Sequence, residues 1–189
     1  MDIKTNNTVC FTGHRPKSIF PEKPYAEARR KEYQEIVDRI AEFVYEMYVK
    51  GCTRYISGGA QGFDQLSFWA VHKAKKECPC IINDVYIPFE GQEARWAEKG
   101  LFGQLEYRQM VGHADHVFVC TRGICRSDRK QVINALMYRN KCMVDDSGIV
   151  LGQFADDTWQ DPLAKGGTAD CLRYAKEMGR DTRIFGNCA

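Results

Sequence analysis

The amino-acid sequence predicts an α/β fold, in which one doubly wound and mainly parallel sheet of about six strands carries helices on both faces. Short runs of β-branched and aromatic residues alternate along the 189 residues with longer segments whose apolar side chains recur at helical spacing. No internal repeat, low-complexity tract or linker divides the chain. The sequence therefore predicts a single domain over residues 1–189.

Six segments have the length and the residue types of buried strands. The first ends at Gly13, and Pro88 interrupts the third. The six predicted strands are residues 8–13, 54–57, 82–89, 116–120, 148–154 and 182–186.

The segments between these strands predict amphipathic helices, because their apolar residues recur every three or four positions. A proline-containing loop over residues 14–24 precedes the first helix, and Gly51 follows that helix at the position of a C-terminal cap. Right-handed crossovers between successive strands make a Rossmann-like sheet the economical arrangement. The residues expected to face the core are Ile36, Ile40, Val44, Met47, Leu66, Ala70, Ala74, Phe102, Leu105, Met110, Val132, Leu136, Leu172, Ala175 and Met178.

The composition is that of an ordinary globular chain, with 44% hydrophobic and 28% charged residues. The formal net charge of +2 favours neither the presence nor the absence of a nucleic-acid partner. No apolar run reaches the roughly 20 residues that a membrane span needs, so no membrane partner is expected. The N-terminus also lacks the positive-then-apolar order of a signal peptide.

The nine cysteines are scattered along the chain. The closest pair, Cys78 and Cys80, has CxC spacing rather than the paired CxxC spacing of zinc sites. We therefore expect reduced thiols, no structural disulfide, no bound metal and a cytoplasmic location.

Ligands of doubly wound sheets bind beyond the carboxyl ends of the strands, near the point where the strand order reverses. Two glycine turns fall in such places and open helices, one over residues 57–62 and one over 166–169. Glycine lets a backbone approach a ligand closely, and the start of a helix offers unpaired N–H groups to an anion. The alternative is that each turn is only a tight connection. The predicted ligand-binding residues are Thr12, Gly13, His14, Arg15, Ser57, Gly58, Gly59, Ala60, Gln61, Gly62, Asp64, Pro88, Phe89, Gly166, Gly167 and Thr168.

The glycine turns do not match the common nucleotide signatures. The P-loop pattern GxxxxGK[ST] is absent, the first strand–helix turn reads GHRP, and the second reads GGxxG rather than GxGxxG. Glu90 lies in a loop after Pro88, where it is poorly placed to bind the ribose of a dinucleotide. These departures disfavour NAD and favour a mononucleotide or nucleotide-derived ligand, with no other cofactor.

Other side chains support the same kind of pocket, each with a structural alternative. The guanidinium of Arg15 matches phosphate oxygens, and His14 beside it can donate to the ligand. Arg95 and Trp96 can clamp a base, although packing of Trp96 against the protein explains that residue equally well. Asp64 lies in the first turn of its helix, where the dipole alone favours a carboxylate.

Four motifs in order, FTGHRP, SGGAQGFD, IPFEGQEARW and KGGTADCLRYAK, resemble the YpsA-like proteins of the SLOG superfamily, which is named for the Smf/DprA and LOG proteins. Together they span most of the chain. The resemblance implies a Rossmann-like sheet, a nucleotide-type pocket at the glycine turns and a homodimer.

The resemblance also bears on chemistry, because LOG proteins cleave the N-glycosidic bond of nucleoside monophosphates. Their signature is similar to PGGxGTxxE, in which a Glu on the helix works with an Arg. Cys171 stands at the position of that Glu, and Asp170 lies one residue earlier, about 100° away around the helix. Asp64 or Glu93 would have to supply the carboxylate if this chain were such an enzyme.

Three functions are therefore considered. The first is binding of a nucleotide or nucleotide-derived small molecule, as a sensor or an enzyme. The second is hydrolysis or transfer at the N-glycosidic bond of a nucleoside monophosphate. The third is DprA-like binding of single-stranded DNA, which the near-neutral balance of 27 Lys and Arg against 25 Asp and Glu disfavours.

Overall fold

The computed structural model describes residues 3–19, 30–154 and 157–186. The six predicted strands are all present. They are β1 (Thr8–Thr12), β2 (Arg54–Ser57), β3 (Ile82–Ile87), β4 (His116–Val119), β5 (Ile149–Gln153) and β6 (Asp181–Phe185).

Helices connect these strands, and one short 3-10 turn lies at Asp157–Gln160. The part of the predicted loop 14–24 that lies beyond residue 19 is outside the described residues, as is Cys188. The helices are α1 (Ile3–Asn6), α2 (Pro16–Ile19), α3 (Arg30–Val49), α4 (Phe63–Lys75), α5 (Gln104–His113), α6 (Arg129–Asp145) and α7 (Gly167–Glu177).

The strands form one sheet in the order β4-β3-β2-β1-β5-β6, and every neighbouring pair is parallel. In the centre of the sheet Val9 of β1 lies opposite Tyr55 of β2 on one side and Ile149 of β5 on the other. The chain builds outward from β1 to the edge strand β4, and then α6 returns it to the other side of β1. The strand order therefore reverses between β1 and β5, which confirms the predicted doubly wound fold.

The two faces of the sheet are covered by different helices, as the alternation of side chains along β1 shows. Val9 and Phe11 pack with α3 and α4, whereas Cys10 between them packs with α6 and α7. A further apolar cluster joins α5 to α4 and β3 on the first face. Because β1 is buried on both faces, its three central residues, Val9, Cys10 and Phe11, are consecutive apolar residues rather than alternating with polar ones.

The segment before α5 differs from the prediction. Phe102 was expected within a helix, but α5 begins at Gln104, and Phe102 adopts a φ of +66° while its side chain is 1% exposed. Leu105 was expected to face the core and is 42% exposed, because the buried face of this helix is set by Tyr107 and Met110. Met178 was also expected to face the core, but it follows the last residue of α7 and is 43% exposed. The burial of Phe102 comes from a loop that packs its ring against Tyr33, with centroids 5.6 Å apart.

Candidate functional site

A cleft of about 390 Å³ lies at the reversal point, beyond the carboxyl ends of β1 and β5. Ligands of doubly wound sheets bind in this position. Side chains of α6 form an apolar wall, and Phe154 closes the side next to β5. The lining residues are Thr12, Gly13, His14, Arg15, Ser18, Ala60, Asp64, Ile133, Leu136, Met137, Arg139, Asn140, Phe154, Lys165, Gly166, Gly167, Thr168 and Ala169.

The N-terminus of α7 forms one wall of this cleft. Gly166 precedes the helix with a φ of +124° and provides no side-chain cap. The first helical bond is donated by the N–H of Asp170 to the carbonyl of Gly166, at 3.0 Å. Among the described residues, none accepts a hydrogen bond from the N–H groups of Gly167, Thr168 and Ala169. These groups, with the positive end of the helix dipole, form an open site for an anion.

Basic and aromatic side chains surround the same wall. Lys165 is exposed at the cleft and forms no ion pair with any residue that the structure describes. The backbone N–H of His14 donates to Gln153, and its ring lies 5.0 Å from that of Phe154. Burial lowers the pKa of His14, so its ring is neutral at pH 7. The charge of His14 therefore does not contribute to this site at neutral pH.

A buried ion pair forms the floor of the cleft. Nη1 of Arg139 donates to Oδ2 of Asp64 at 2.9 Å, and the two side chains are only 6% and 8% exposed. The backbone N–H of Ala60 donates to the same oxygen at 3.1 Å. The carboxylate of Asp64 is thus held by two donors of the protein itself.

A Cβ added to any of the three glycines in the turn after β2 would approach another part of the protein closely. A Cβ on Gly58 would lie 1.2 Å from Nη1 of Arg139, so this glycine makes room for the guanidinium. Gly59 has a φ of +65°. A Cβ on Gly62, whose φ is +96°, would lie 2.4 Å from the carbonyl oxygen of His14.

The N-terminus of α4 is also in contact with the protein. The N–H of Phe63 donates to the carbonyl of His14 at 3.1 Å. The first residue of α4 therefore bonds to the turn after β1, whereas the start of α7 is open to the cleft.

Only some of the predicted ligand-binding residues line the cleft. Ser57 is 1% exposed, and Gln61 donates to the carbonyl of Phe102. Trp96 packs edge-on against Tyr107, with ring centroids 5.2 Å apart. The predicted residues that line the cleft are Thr12, Gly13, His14, Arg15, Ala60, Asp64, Gly166, Gly167 and Thr168. Those that do not line it are Ser57, Gly58, Gly59, Gln61, Gly62, Pro88, Phe89, Glu93, Arg95 and Trp96.

The structure also describes the position at which LOG proteins carry the Glu of their signature. Cys171 is 2% exposed, and burial raises the pKa of its thiol to about 11. The hydroxyl of Thr12 hydrogen bonds to this thiol. The neighbouring carboxylate, that of Asp170, pairs with Arg173 on the same helix. Neither side chain presents a free carboxylate to the cleft.

Sequence reasoning missed Arg139, which lies in the middle of a segment with the charge pattern of an exposed helix. A lone Arg among polar residues normally indicates a solvated face. The sequence contains one signal for Arg139. It is the combination of the glycine turn after β2 with an acidic residue, Asp64, at the start of α4. Lys165 was missed because it lies in a loop whose path the sequence does not define. Phe154 was missed because it was predicted as the last residue of the fifth strand, whereas β5 ends at Gln153.

Two classes of site have no support in residues 3–19, 30–154 and 157–186. Within these ranges no group of three or more His, Cys, Asp and Glu side chains is placed to hold a metal ion. Across the same part of the chain no helix has both the length and the apolar content that a membrane crossing requires.

Comparisons with known proteins agree with the fold and the motifs. The family model for YpsA, described as the YspA SLOG family, matches residues 9–179. The uncharacterized SPbeta prophage-derived protein YoqJ of Bacillus subtilis (strain 168) is 28% identical over 150 residues, which cover 74% of this chain and 80% of that protein. The family match includes the cleft and both glycine turns. The chain therefore belongs to the YpsA family of SLOG proteins.

Proposed function

We propose that this protein binds a nucleotide or nucleotide-derived small molecule in the cleft, with a phosphate group against the N-terminus of α7. The proposal depends on one observation. The N–H groups of Gly167, Thr168 and Ala169 have no hydrogen-bond acceptor among the described residues, and they lie in the wall of the cleft at the reversal point. Lys165 and Arg15 add positive charge at the same cleft. Membership of the SLOG family supports the ligand class.

The remaining walls suit the apolar part of such a ligand. Ile133, Leu136 and Met137 of α6 lie on one side, and Phe154 lies on another. A volume of about 390 Å³ is within the range of small-molecule sites, which is about 300–1,000 Å³. Apolar side chains and one aromatic ring can hold a base, while the start of α7 holds the phosphate.

The proposal is for binding rather than for cleavage of an N-glycosidic bond. Asp64 is the one acidic residue among the described residues that line the cleft, and its carboxylate accepts bonds from Arg139 and Ala60. Its Oδ2 atom is therefore engaged within the protein rather than presented to a bound ligand. Cys171 cannot stabilise an oxocarbenium-like centre, because a neutral buried thiol carries no charge.

The test is a thermal-shift screen followed by titration calorimetry with nucleoside monophosphates, ADP-ribose and cyclic dinucleotides. A ligand that binds only the folded state raises the midpoint of unfolding. Gly167→Ala is the diagnostic variant, because its Cβ would meet only Nδ2 of Asn140 at 3.7 Å and its φ is ordinary. The fold should therefore accommodate the methyl group. A phosphate at the start of α7 should bind more weakly, because the methyl group keeps it from approaching the backbone.

We expect Gly167→Ala to weaken the affinity for the nucleotide by about tenfold or more, which is the change expected when one hydrogen bond to a charged phosphate is lost. Gly112→Ala on α5 is the matched control, because it too adds a methyl group to a helix without a contact within 4 Å. The control should leave affinity unchanged. Equal affinity of Gly167→Ala and the wild type would refute the proposed phosphate position, and a screen without any shift would refute the ligand class.

A further inference from the structure

A second cavity, of about 500 Å³, lies at the carboxyl ends of β3 and β4. It is formed by the loop that follows β3, at Phe89–Gly91, and by the loop between β4 and α6. A neighbouring cavity of about 320 Å³ shares Phe89, Gly91 and Arg126 with it and extends to Arg95. None of the residues that line these two cavities lines the cleft at the reversal point.

Three arginines converge on this region without acidic partners. Arg122 and Arg126 line the larger cavity, and Arg95 lines the smaller one. Arg126 lies against the backbone of Gly91, with Nη1 at 3.5 Å from the carbonyl oxygen, and Arg95 donates to the carbonyl of Arg126 at 3.3 Å. In the described part of the chain, none of the three forms an ion pair with a carboxylate.

The charge around the two cavities is therefore unbalanced. Glu90 is the one acidic residue among the described residues that line either of them. Three guanidinium groups against one carboxylate produce a positive potential, which a concave surface strengthens. Such a potential attracts an anion.

Neutral donors at the same cavity are also without partners. Oγ1 of Thr121 is buried and has no hydrogen-bond partner among the described residues. The N–H groups of Arg122, Gly123 and Ile124 likewise have no acceptor in the part of the chain that the structure describes. A buried polar atom without a partner is costly, so its presence at a cavity indicates that a ligand or an ordered water completes its bonding.

We propose that this cavity is a second anion site, which binds a phosphate group of a small molecule through Arg122, Arg126 and the hydroxyl of Thr121. Guanidinium groups match phosphate oxygens in shape and charge, and consecutive backbone N–H groups complete such sites in other proteins. The volume fits a small phosphorylated molecule. The site uses none of the residues of the cleft, so it does not depend on the function proposed above.

The two sites lie on either side of α6. Val132 borders the smaller of the two cavities, and the next residue, Ile133, lines the cleft. The two sites therefore border consecutive residues of the same helix.

The experiment is titration calorimetry of the full chain at low salt, with inorganic phosphate, pyrophosphate and ADP as separate probes. We expect Arg122→Gln and Arg126→Gln each to weaken pyrophosphate binding at this site by about tenfold or more, and the double variant to abolish it. Arg108→Gln on α5 is the control, since it removes one exposed guanidinium elsewhere and should leave the affinity unchanged. A stronger response to pyrophosphate or ADP than to inorganic phosphate assigns the site to a phosphorylated small molecule rather than to the free ion.

Two results would overturn the proposal. One is an equal loss of affinity in Arg108→Gln, which would mean that only the net charge matters. The other is a preference for a single-stranded oligonucleotide over pyrophosphate, with a steep salt dependence that Arg122→Gln reduces. Gly167→Ala separates the two sites, because it should weaken binding in the cleft and leave this second binding event intact.

Discussion

Gly58→Ala should disrupt the ion pair at the floor of the cleft, although alanine suits the backbone at this position. Gly58 does not have a positive φ, but its Cβ would lie 1.2 Å from Nη1 of Arg139 and 2.6 Å from Oδ2 of Asp64. The guanidinium must therefore leave its position and separate from a carboxylate that is 8% exposed. Breaking a buried ion pair in this way costs about 3–5 kcal/mol of unfolding free energy.

The assay is a double-mutant cycle, in which the unfolding free energy of each variant is measured by urea titration with circular dichroism. Thermal unfolding of Gly58→Ala is a second measurement. In a chain of this size a loss of 1 kcal/mol in unfolding free energy lowers the thermal midpoint by about 2–4 °C, so this midpoint should fall by about 6–20 °C. Arg139→Met alone should cost a similar amount, because it leaves Asp64 buried without its partner. When Gly58→Ala is added to Arg139→Met, the further loss should be much smaller than the loss from Gly58→Ala alone, since the guanidinium is already absent and only Oδ2 of Asp64, 2.6 Å from the new Cβ, must shift.

Strict additivity of the two changes would refute the reasoning. It would mean that Gly58 is required for the turn itself and not for the passage of Arg139. A small effect of Gly58→Ala alone, below about 1 kcal/mol, would refute it as well, because the guanidinium would then have another position available.

Two further predictions concern stability. Gly62→Ala should lower the unfolding free energy by about 2 kcal/mol or more, because its Cβ would meet the carbonyl oxygen of His14. Gly100→Ala is the control and should cost less, because Gly100 has a similar φ of +100° but its Cβ would have nothing within 4 Å. Equal losses of unfolding free energy in urea would contradict this prediction. The pKa of His72 is lowered by burial, then by the nearby charges of His113 and two lysines, and that of His14 is lowered by burial. The unfolded chain therefore binds more protons below about pH 6.5, so stability should fall as the pH decreases from 7 to 5, and His72→Gln should flatten that slope. An unchanged slope in urea unfolding at pH 7.5 and 5.5 would contradict the assignment.

Much of the fold could be predicted from the sequence, because each strand is a short apolar run and each helix has a clear period. The runs at residues 8–13 and 54–57 lie in the centre of the sheet, where burial on both faces permits no alternation. Phe102 was assigned wrongly, because a buried aromatic residue in a loop produces the same pattern as one in a helix. Leu105 does lie in a helix, but the buried face of that helix is set by Tyr107 and Met110.

The candidate site could be predicted only in part. The motifs at Gly13 and Gly166 indicate two walls of the cleft, since both follow strands that flank the reversal point. The pairing of Arg139 with Asp64 spans 75 positions of the chain and has no local signal. Phe89 and Arg95 were expected at the same pocket as the glycine turns, but both follow β3, and β2 separates β3 from β1 in the sheet. Phe89 therefore lines the second cavity, and Arg95 lines the smaller cavity beside it.

The central claim, that α7 and not α4 binds the phosphate, is tested most directly by a nitrogen-15 amide titration of the labelled protein. The probes are inorganic phosphate and the nucleotide with the largest thermal shift. The amide resonances of Gly167, Thr168 and Ala169 should move first and furthest, because their N–H groups are uncommitted at the cleft. Movement confined to the amides of residues 58–62, with those at the start of α7 unchanged, would contradict the account.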